Sequence, residues 1–290
     1  MGNSILNKLN YAQEGSSPSC ATGDCCERAT SDLTQRTLPA RSIKPLKTKK
    51  GRDESGLFIV EGEKFVQEIP QGWHVRQYIM AERFACKNEL AIYEERAICV
   101  VVRDSVFDSL ADTVSPQGIL AVCEMKKLTL EKIQLVTHSH QLKSQFFLIG
   151  ENLNDPGNIG ALIRTAAAAG ASGVILTAGS GDIYNPKVLR AAAGAALRIP
   201  TVTDVYLQDI ADVLKLPIYA AHPRGDKLPY HLDMTGSFCL LVGSESHGIT
   251  DTAANLASEL VTLPMVSSTE SLNASVAGSI LLYEAVRQRQ

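Results

Sequence analysis

Short unbroken apolar runs alternate along most of this chain with stretches whose apolar positions recur every three to four residues. The first pattern reads as buried strands and the second as helices packed by one face. In residues 144–290 the predicted strands are 146–150, 173–176, 217–220, 238–243 and 259–264. Helical spacing covers 159–169, 187–196, 207–214 and 273–289. Apolar strands separated by helices of that length predict a parallel sheet covered on both faces. By pattern alone this half is α/β, doubly wound and Rossmann-like. A smaller α/β unit, 41–126, precedes it. Its predicted strands are 57–62, 75–80, 97–102 and 119–125, with short helices at 63–69 and 105–112. Residues 127–143 are rich in charged and polar positions and predict a linker. Residues 1–40 show no period and few large apolar side chains, which predicts a disordered tail.

Composition narrows the function classes. At 290 residues the chain can bury two cores. No apolar run reaches the roughly 18 residues of a membrane span. The start, MGNSILNK, lacks a basic segment followed by an apolar core. It also carries Leu6 where a myristoylation signal has Ser or Thr. The expected location is the cytosol. A net charge of −3 gives no global attraction to nucleic acid, so any such affinity must be local. RSIKPLKTKKGR (41–52) supplies a local candidate: Arg41, Lys44, Lys47, Lys49, Lys50 and Arg52 without one acid. The run reads either as a solvated face or as a phosphate-contacting patch. Cys86, Cys99, Cys123 and Cys239 lie in apolar or mixed segments and are expected in the core as reduced thiols. Cys20, Cys25 and Cys26 lack zinc-ligand spacing, and His138 and His140 have no acid or thiol nearby. No metal site is expected.

Three polar segments sit where a strand pattern stops and a helical one starts. They are ENLNDPGNIGALIRTA (151–166), LLVGSESHG (240–248) and LPMVSSTESLNASVA (263–277). That edge of an open α/β sheet is where ligands bind, so the three together predict one composite pocket. In the first, Asn154 to Gly157 form a turn and Asn158 is the expected helix N-cap. Arg164 flanks the apolar stripe of Ile159, Leu162, Ile163, Ala166 and Gly170. It is either a solvated helix residue or an arginine able to grip phosphate or developing negative charge. In the second, Gly243 and Gly248 let backbone approach a ligand, and Glu245 is the one carboxylate. Ser246 beside His247 raises a hydrolase reading, but the nucleophile elbow needs glycine where Ser244 stands. Gly179-Ser180-Gly181 fails as a dinucleotide fingerprint, because Tyr184 occupies the third glycine position. In the third, Ser267 and Glu270 have capping-box spacing and Ser271 is a plausible N-cap. The remaining hydroxyls and amides leave room for binding.

The three segments, in this order and spacing, resemble the SpoU/TrmH-like RNA ribose 2′-O-methyltransferases of the SPOUT class. The resemblance covers residues 144–290. IKPLKTKKGRDESGLFIVEGEKFV and TVSPQGILAV extend it upstream, to the family's N-terminal RNA-binding domain, which itself resembles a ribosomal protein. Residues 1–40 are not covered, and Ala274 stands where Val is common. The resemblance replaces the Rossmann expectation with a SPOUT α/β domain carrying a C-terminal trefoil knot, a rare exception to unknotted topology. It implies a homodimer, S-adenosylmethionine as methyl donor and RNA as substrate, with no metal and no membrane. Carried over by motif, Gly243, Leu263 and Leu272, with Leu241 and Met265 beside them, would hold the cofactor largely through backbone groups. Asn158, Arg164, Glu245, Ser271 and Asn273 would form the catalytic surface, Glu245 fixing Arg164 by a charge-assisted bond. Lys44, Lys47, Lys49, Lys50 and Arg52 would meet the RNA backbone. The two-domain layout favours ribosomal RNA of the large subunit. A transfer RNA ribose 2′-O-methyltransferase and a non-catalytic RNA-binding protein on the same fold are the alternatives.

Overall fold

The computed structural model describes residues 37–138, 144–266 and 271–290. They form two compact units, divided between Met125 and Lys126. Cys20, Cys25, Cys26, His140 and the Ser267–Glu270 capping box lie outside the described residues.

The N-terminal unit is a four-stranded sheet of β1 (Leu57–Glu61), β2 (Val75–Ala81), β3 (Ile98–Val102) and β4 (Ile119–Glu124), in the order β1-β4-β2-β3. β1 and β2 run antiparallel to β4, and β3 joins β2 in parallel. Alternation sends Ile59, Ile79, Leu120 and Val122 to one face, against Ile43, Leu46 and Phe107. On the other face Phe58 meets Trp73 edge-on, with ring centroids 5.5 Å apart. Cys123 is buried, Cys99 half-buried and Cys86 exposed, so Cys86 is not the core residue expected. The tail expected over 1–40 does not extend to its end. Gln77, itself buried, accepts from Leu38 N at 2.7 Å and donates to Leu38 O at 3.2 Å.

The basic run folds into helix Ala40–Ile43, a 3₁₀ turn Lys44–Lys47 and helix Lys49–Ser55. Thr48 caps the last of these, accepting from Gly51 N at 3.2 Å. Gly51 cannot carry a side chain, since a Cβ there would lie 2.1 Å from Pro45 O. Arg52 is only 2% exposed and donates to Leu46 O at 2.8 Å. It ties the turn to the helix and is not available to RNA, a correction to the expectation from sequence. Four cations of the run, Arg41, Lys44, Lys49 and Lys50, are exposed. Lys47 donates to Ala111 O at 2.6 Å, and Lys49 and Lys50 pair with Asp53 and Glu54 one helical turn on.

The C-terminal unit has six parallel strands: β5 (Phe146–Gly150), β6 (Gly173–Thr177), β7 (Thr201–Val205), β8 (Ile218–Ala221), β9 (Phe238–Val242) and β10 (Glu259–Val261). Their order is β10-β8-β9-β5-β6-β7. The five strands expected from pattern are present. β7 was not expected, because TVTDV is polar and only Val202 of it is buried. Helix Asp251–Leu256 was missed for the same reason, with only Ala253 buried. The expected helix at 187–196 is shorter, Pro186–Ala191 followed by a 3₁₀ turn Ala195–Leu197. The expected linker is largely a helix, Leu130–His138, with Leu130 and Ile133 in this unit's core. Gly173 makes the space: a Cβ there would lie 2.4 Å from Ile133 Cδ1. β5 and β9 are neighbours at the centre of the sheet, so the first and second polar segments leave it side by side.

Candidate active site

The first segment enters its helix, Pro156–Ala168, through an Asp155 cap whose Oδ1 accepts from Asn158 N at 2.8 Å. Pro156 opens the helix, where its missing N–H costs nothing. Asn158 is therefore not the cap. It sits in the first turn with its side-chain amide free to reach out. Further along, the helix lies against the last one, Ala274–Arg289, at unusually short range. A Cβ on Gly278 would be 2.6 Å from Leu162 Cδ2, and Ser279 Oγ donates to Thr165 Oγ1 at 3.0 Å. This contact delivers the start of the last helix to Asn158. The cap of that helix is Asn273, whose Oδ1 accepts from Ser275 N and Val276 N, and not Ser271.

The three segments then meet on one side chain. Asn273 Nδ2 donates to Asn158 Oδ1 at 2.9 Å, and Asn158 Nδ2 donates to Glu245 Oε1. Asn158 thus has its amide orientation fixed from both ends. Arg164 is exposed and makes no hydrogen bond or ion pair with Glu245 among the described residues. The expected Glu245–Arg164 bond is absent, and Glu245 Oε1 accepts from Asn158 in its place. Six helical positions also turn Arg164 roughly 240° from Asn158.

Beside this relay is a cavity of about 350 Å³, within the range of small-molecule sites. Its floor is the Val242–Ile249 stretch, and the third segment closes it with Leu263, Met265, Ser271 and Leu272. Of the residues expected to hold a cofactor, Gly243, Leu263, Met265 and Leu272 line it. Leu241 does not. It is fully buried in the sheet core, and strand alternation presents its neighbour Val242 instead. Glu245 and Ser271 also line the cavity, while Asn158 and Asn273 reach it through Glu245.

Gly243 is required by the loop itself. A Cβ there would lie 2.2 Å from Gly248 O. Ser244 N donates to Gly248 O at 3.0 Å and Gly248 N returns to Ser244 O at 2.9 Å, closing the loop on itself. Sequence reading missed one wall, His222, Pro223 and Arg224. They follow β8, which pairs with β9, so the rule of strand ends would have found them once the strand order was known. Ser246 Oγ and His247 Nδ1 are 2.8 Å apart, yet among the described residues no carboxylate holds the imidazole. The nearest acid in sequence, Glu245, is turned to Asn158. That leaves the hydrolase reading without its orienting group. Among the described residues no cluster of His, Cys, Asp or Glu could hold a metal.

Residues 145–283 match the SpoU rRNA Methylase family, and residues 40–121 match the MRM3-like substrate binding domain. The chain is 31% identical over 247 residues to the 23S rRNA (guanosine(2553)-2′-O)-methyltransferase RlmP of Bacillus subtilis, covering 83% of this chain and 92% of that one. It is 29% identical over 251 residues to the 23S rRNA (uridine(2479)-2′-O)-methyltransferase of Streptomyces viridochromogenes, with 82% and 85% covered. The solved structure of the SpoU methyltransferase AviRb from Streptomyces viridochromogenes, in complex with the cofactor AdoMet, superposes with a TM-score of 0.78 at 26% identity. That match covers 88% of this chain and 98% of that one. The convergence of the three polar segments and the similarity across both units lead to one assignment: the chain belongs to the SpoU rRNA methylase family.

Proposed function

We propose that this protein transfers a methyl group from S-adenosylmethionine to a ribose 2′-hydroxyl of large-subunit ribosomal RNA. The observation that carries the reading is the Asn273–Asn158–Glu245 relay, which brings all three polar segments to the edge of one cavity. The relatives named as 23S rRNA 2′-O-methyltransferases support it. The cavity fits the donor, combining apolar Leu263, Leu272 and Ala277 with the backbone of the Gly243–Gly248 loop. Bound there, S-adenosylmethionine would supply an electrophilic methyl group together with its own leaving group.

The chain's residues would orient and stabilise. Asn158, held from both ends, keeps the Glu245 carboxylate in one position. Ser271 and Glu245 offer polar groups to the entering hydroxyl. Arg164, uncommitted to any acid among the described residues, would stabilise the incipient alkoxide and an adjacent phosphate. A guanidinium with a pKa above 12 makes a poor base, so the proton would leave to water or phosphate. The N-terminal unit would bind RNA backbone through Arg41, Lys44, Lys49 and Lys50. The relatives named for 23S rRNA, which match across both units, favour ribosomal over transfer RNA.

A homodimer is part of the proposal. Val276, Ile280 and Tyr283 leave an apolar stripe exposed at helical spacing along the last helix, and sedimentation should return twice the chain mass. The trefoil knot is proposed too. In its support, the chain leaves central β9, forms β10 at the sheet edge and returns with its last helix to β9 and the Pro156–Ala168 helix. A cytosolic location is proposed with it, and no described helix is long and apolar enough to cross a membrane. The decisive experiment is methyl transfer from tritiated donor to ribosomal RNA, with 2′-O-methyl sites mapped with and without the gene. Donor binding without transfer to any RNA would leave the non-catalytic alternative standing.

A further inference from the structure

One buried acid stands outside this machinery. Glu151, at the end of β5, is 2% exposed, and among the described residues no cation pairs with it. Burying a carboxylate is costly unless hydrogen bonds compensate. Both bonds come from a single residue 99 positions away: Thr250 N donates to Oε2 at 3.0 Å and Thr250 Oγ1 to Oε1 at 2.6 Å. Thr250 directly follows the Val242–Ile249 stretch that lines the cavity, and its hydroxyl also accepts from Ala253 N at 3.1 Å to cap helix Asp251–Leu256. At the other end of the stretch, Glu151 N donates to Val242 O at 2.9 Å. Glu151 therefore fastens both feet of the cavity loop, while Asn158 holds its Glu245 tip.

We propose that Glu151 is a positioning residue that sets the shape of the donor loop through Thr250 without touching donor or RNA. The inference rests on reading the cavity as the S-adenosylmethionine site. A carboxylate suits the task because it only accepts, and Thr250 presents two donors. Glutamine fits the space but fails the pairing. With its carbonyl on Thr250 N, its amide can only donate to the threonine hydroxyl, whose own proton loses the carboxylate as acceptor. With its carbonyl on the hydroxyl, N–H faces N–H.

The test uses the full chain and measures donor binding by calorimetry, turnover at saturating donor, and thermal midpoint. Glu151→Gln should weaken S-adenosylmethionine binding about tenfold, the effect of a buried polar group losing its partner, with turnover at saturating donor within about twofold. Thr250→Val should match it, and Glu151→Gln combined with Thr250→Val should be no worse than either alone. Thr250→Ser, which keeps both donors, should restore affinity. A lowered thermal midpoint with unchanged donor affinity would overturn the proposal and reduce Glu151 to a structural tie. Lost turnover with unchanged affinity would also overturn it. Failure of the unmodified protein to bind the donor would instead sink the reading of the cavity.

Discussion

In the Arg41–Arg52 run, polar side chains adjacent in sequence are scattered by the fold. Arg52 goes into the core, Lys47 ties down a backbone carbonyl, Lys49 and Lys50 face acids, and Arg41 and Lys44 stay exposed. In the C-terminal unit, polar side chains far apart in sequence are gathered. Asn158, Glu245 and Asn273 come from a first helical turn, a loop and a helix cap, and form one relay. Density of charge along a sequence is thus a weaker sign of a site than placement of polar loops at one edge of a sheet. A helix spreads neighbours around its axis, whereas parallel strands bring distant loops to a common edge.

The largest effect should come from Arg164, a catalytic candidate outside the relay. Arg164→Ala is expected to cost about 2.7–4 kcal/mol of transition-state stabilisation while donor affinity stays put. Single-turnover kinetics with calorimetry of donor binding would check it, and near-normal turnover would leave the relay acting without Arg164.

Next is the cation that the fold removed from the patch. Arg52→Met should destabilise the protein by about 1.5–3 kcal/mol, through its lost bond to Leu46 O, in denaturant unfolding. Under conditions where the variant is folded, the salt dependence of RNA binding should not move. A flattened salt dependence would return Arg52 to the RNA surface.

Gly243→Val tests whether the gathered site depends on its loop. The added side chain collides with Gly248 O, and such overpacking costs about 1–3 kcal/mol. Donor affinity should fall, read by calorimetry, with RNA binding by the N-terminal unit unchanged. Unaltered donor binding would mean that the Gly243–Gly248 closure does not shape the cavity.

The smallest effect belongs to the scattered run. Replacing Arg41 and Lys44 by Ala should lower the log–log salt slope of RNA binding by about 1.4, if each meets one phosphate of a single strand. Replacing Lys49 and Lys50, already paired with acids, should lower it less. An unchanged slope in both variants would make the run a solvated face.

Much of this was legible in the chain. Period-2 and period-3.6 patterning placed the four strands of the N-terminal unit and five of six in the other within a residue or two, except at the end of β10. Buried strands and amphipathic helices must carry that signal wherever they fold. Weakly buried elements, β7 and the Asp251–Leu256 helix, left too little apolar pattern to read. Leu130 and Ile133 were hidden among charges, and only the groove at Gly173 makes their helix part of a core. The family resemblance of the three segments nominated Asn158, Arg164, Glu245, Ser271 and Asn273. What the tertiary structure decided is which of them touch: it paired Glu245 with Asn158 in place of Arg164, put Val242 in the cavity in place of Leu241, and added His222 to Arg224 as a wall. Sequence determines local propensity and the side of an element that seeks the core. Which loops share an edge follows from strand order, and strand order is set by long-range pairing that no local window contains.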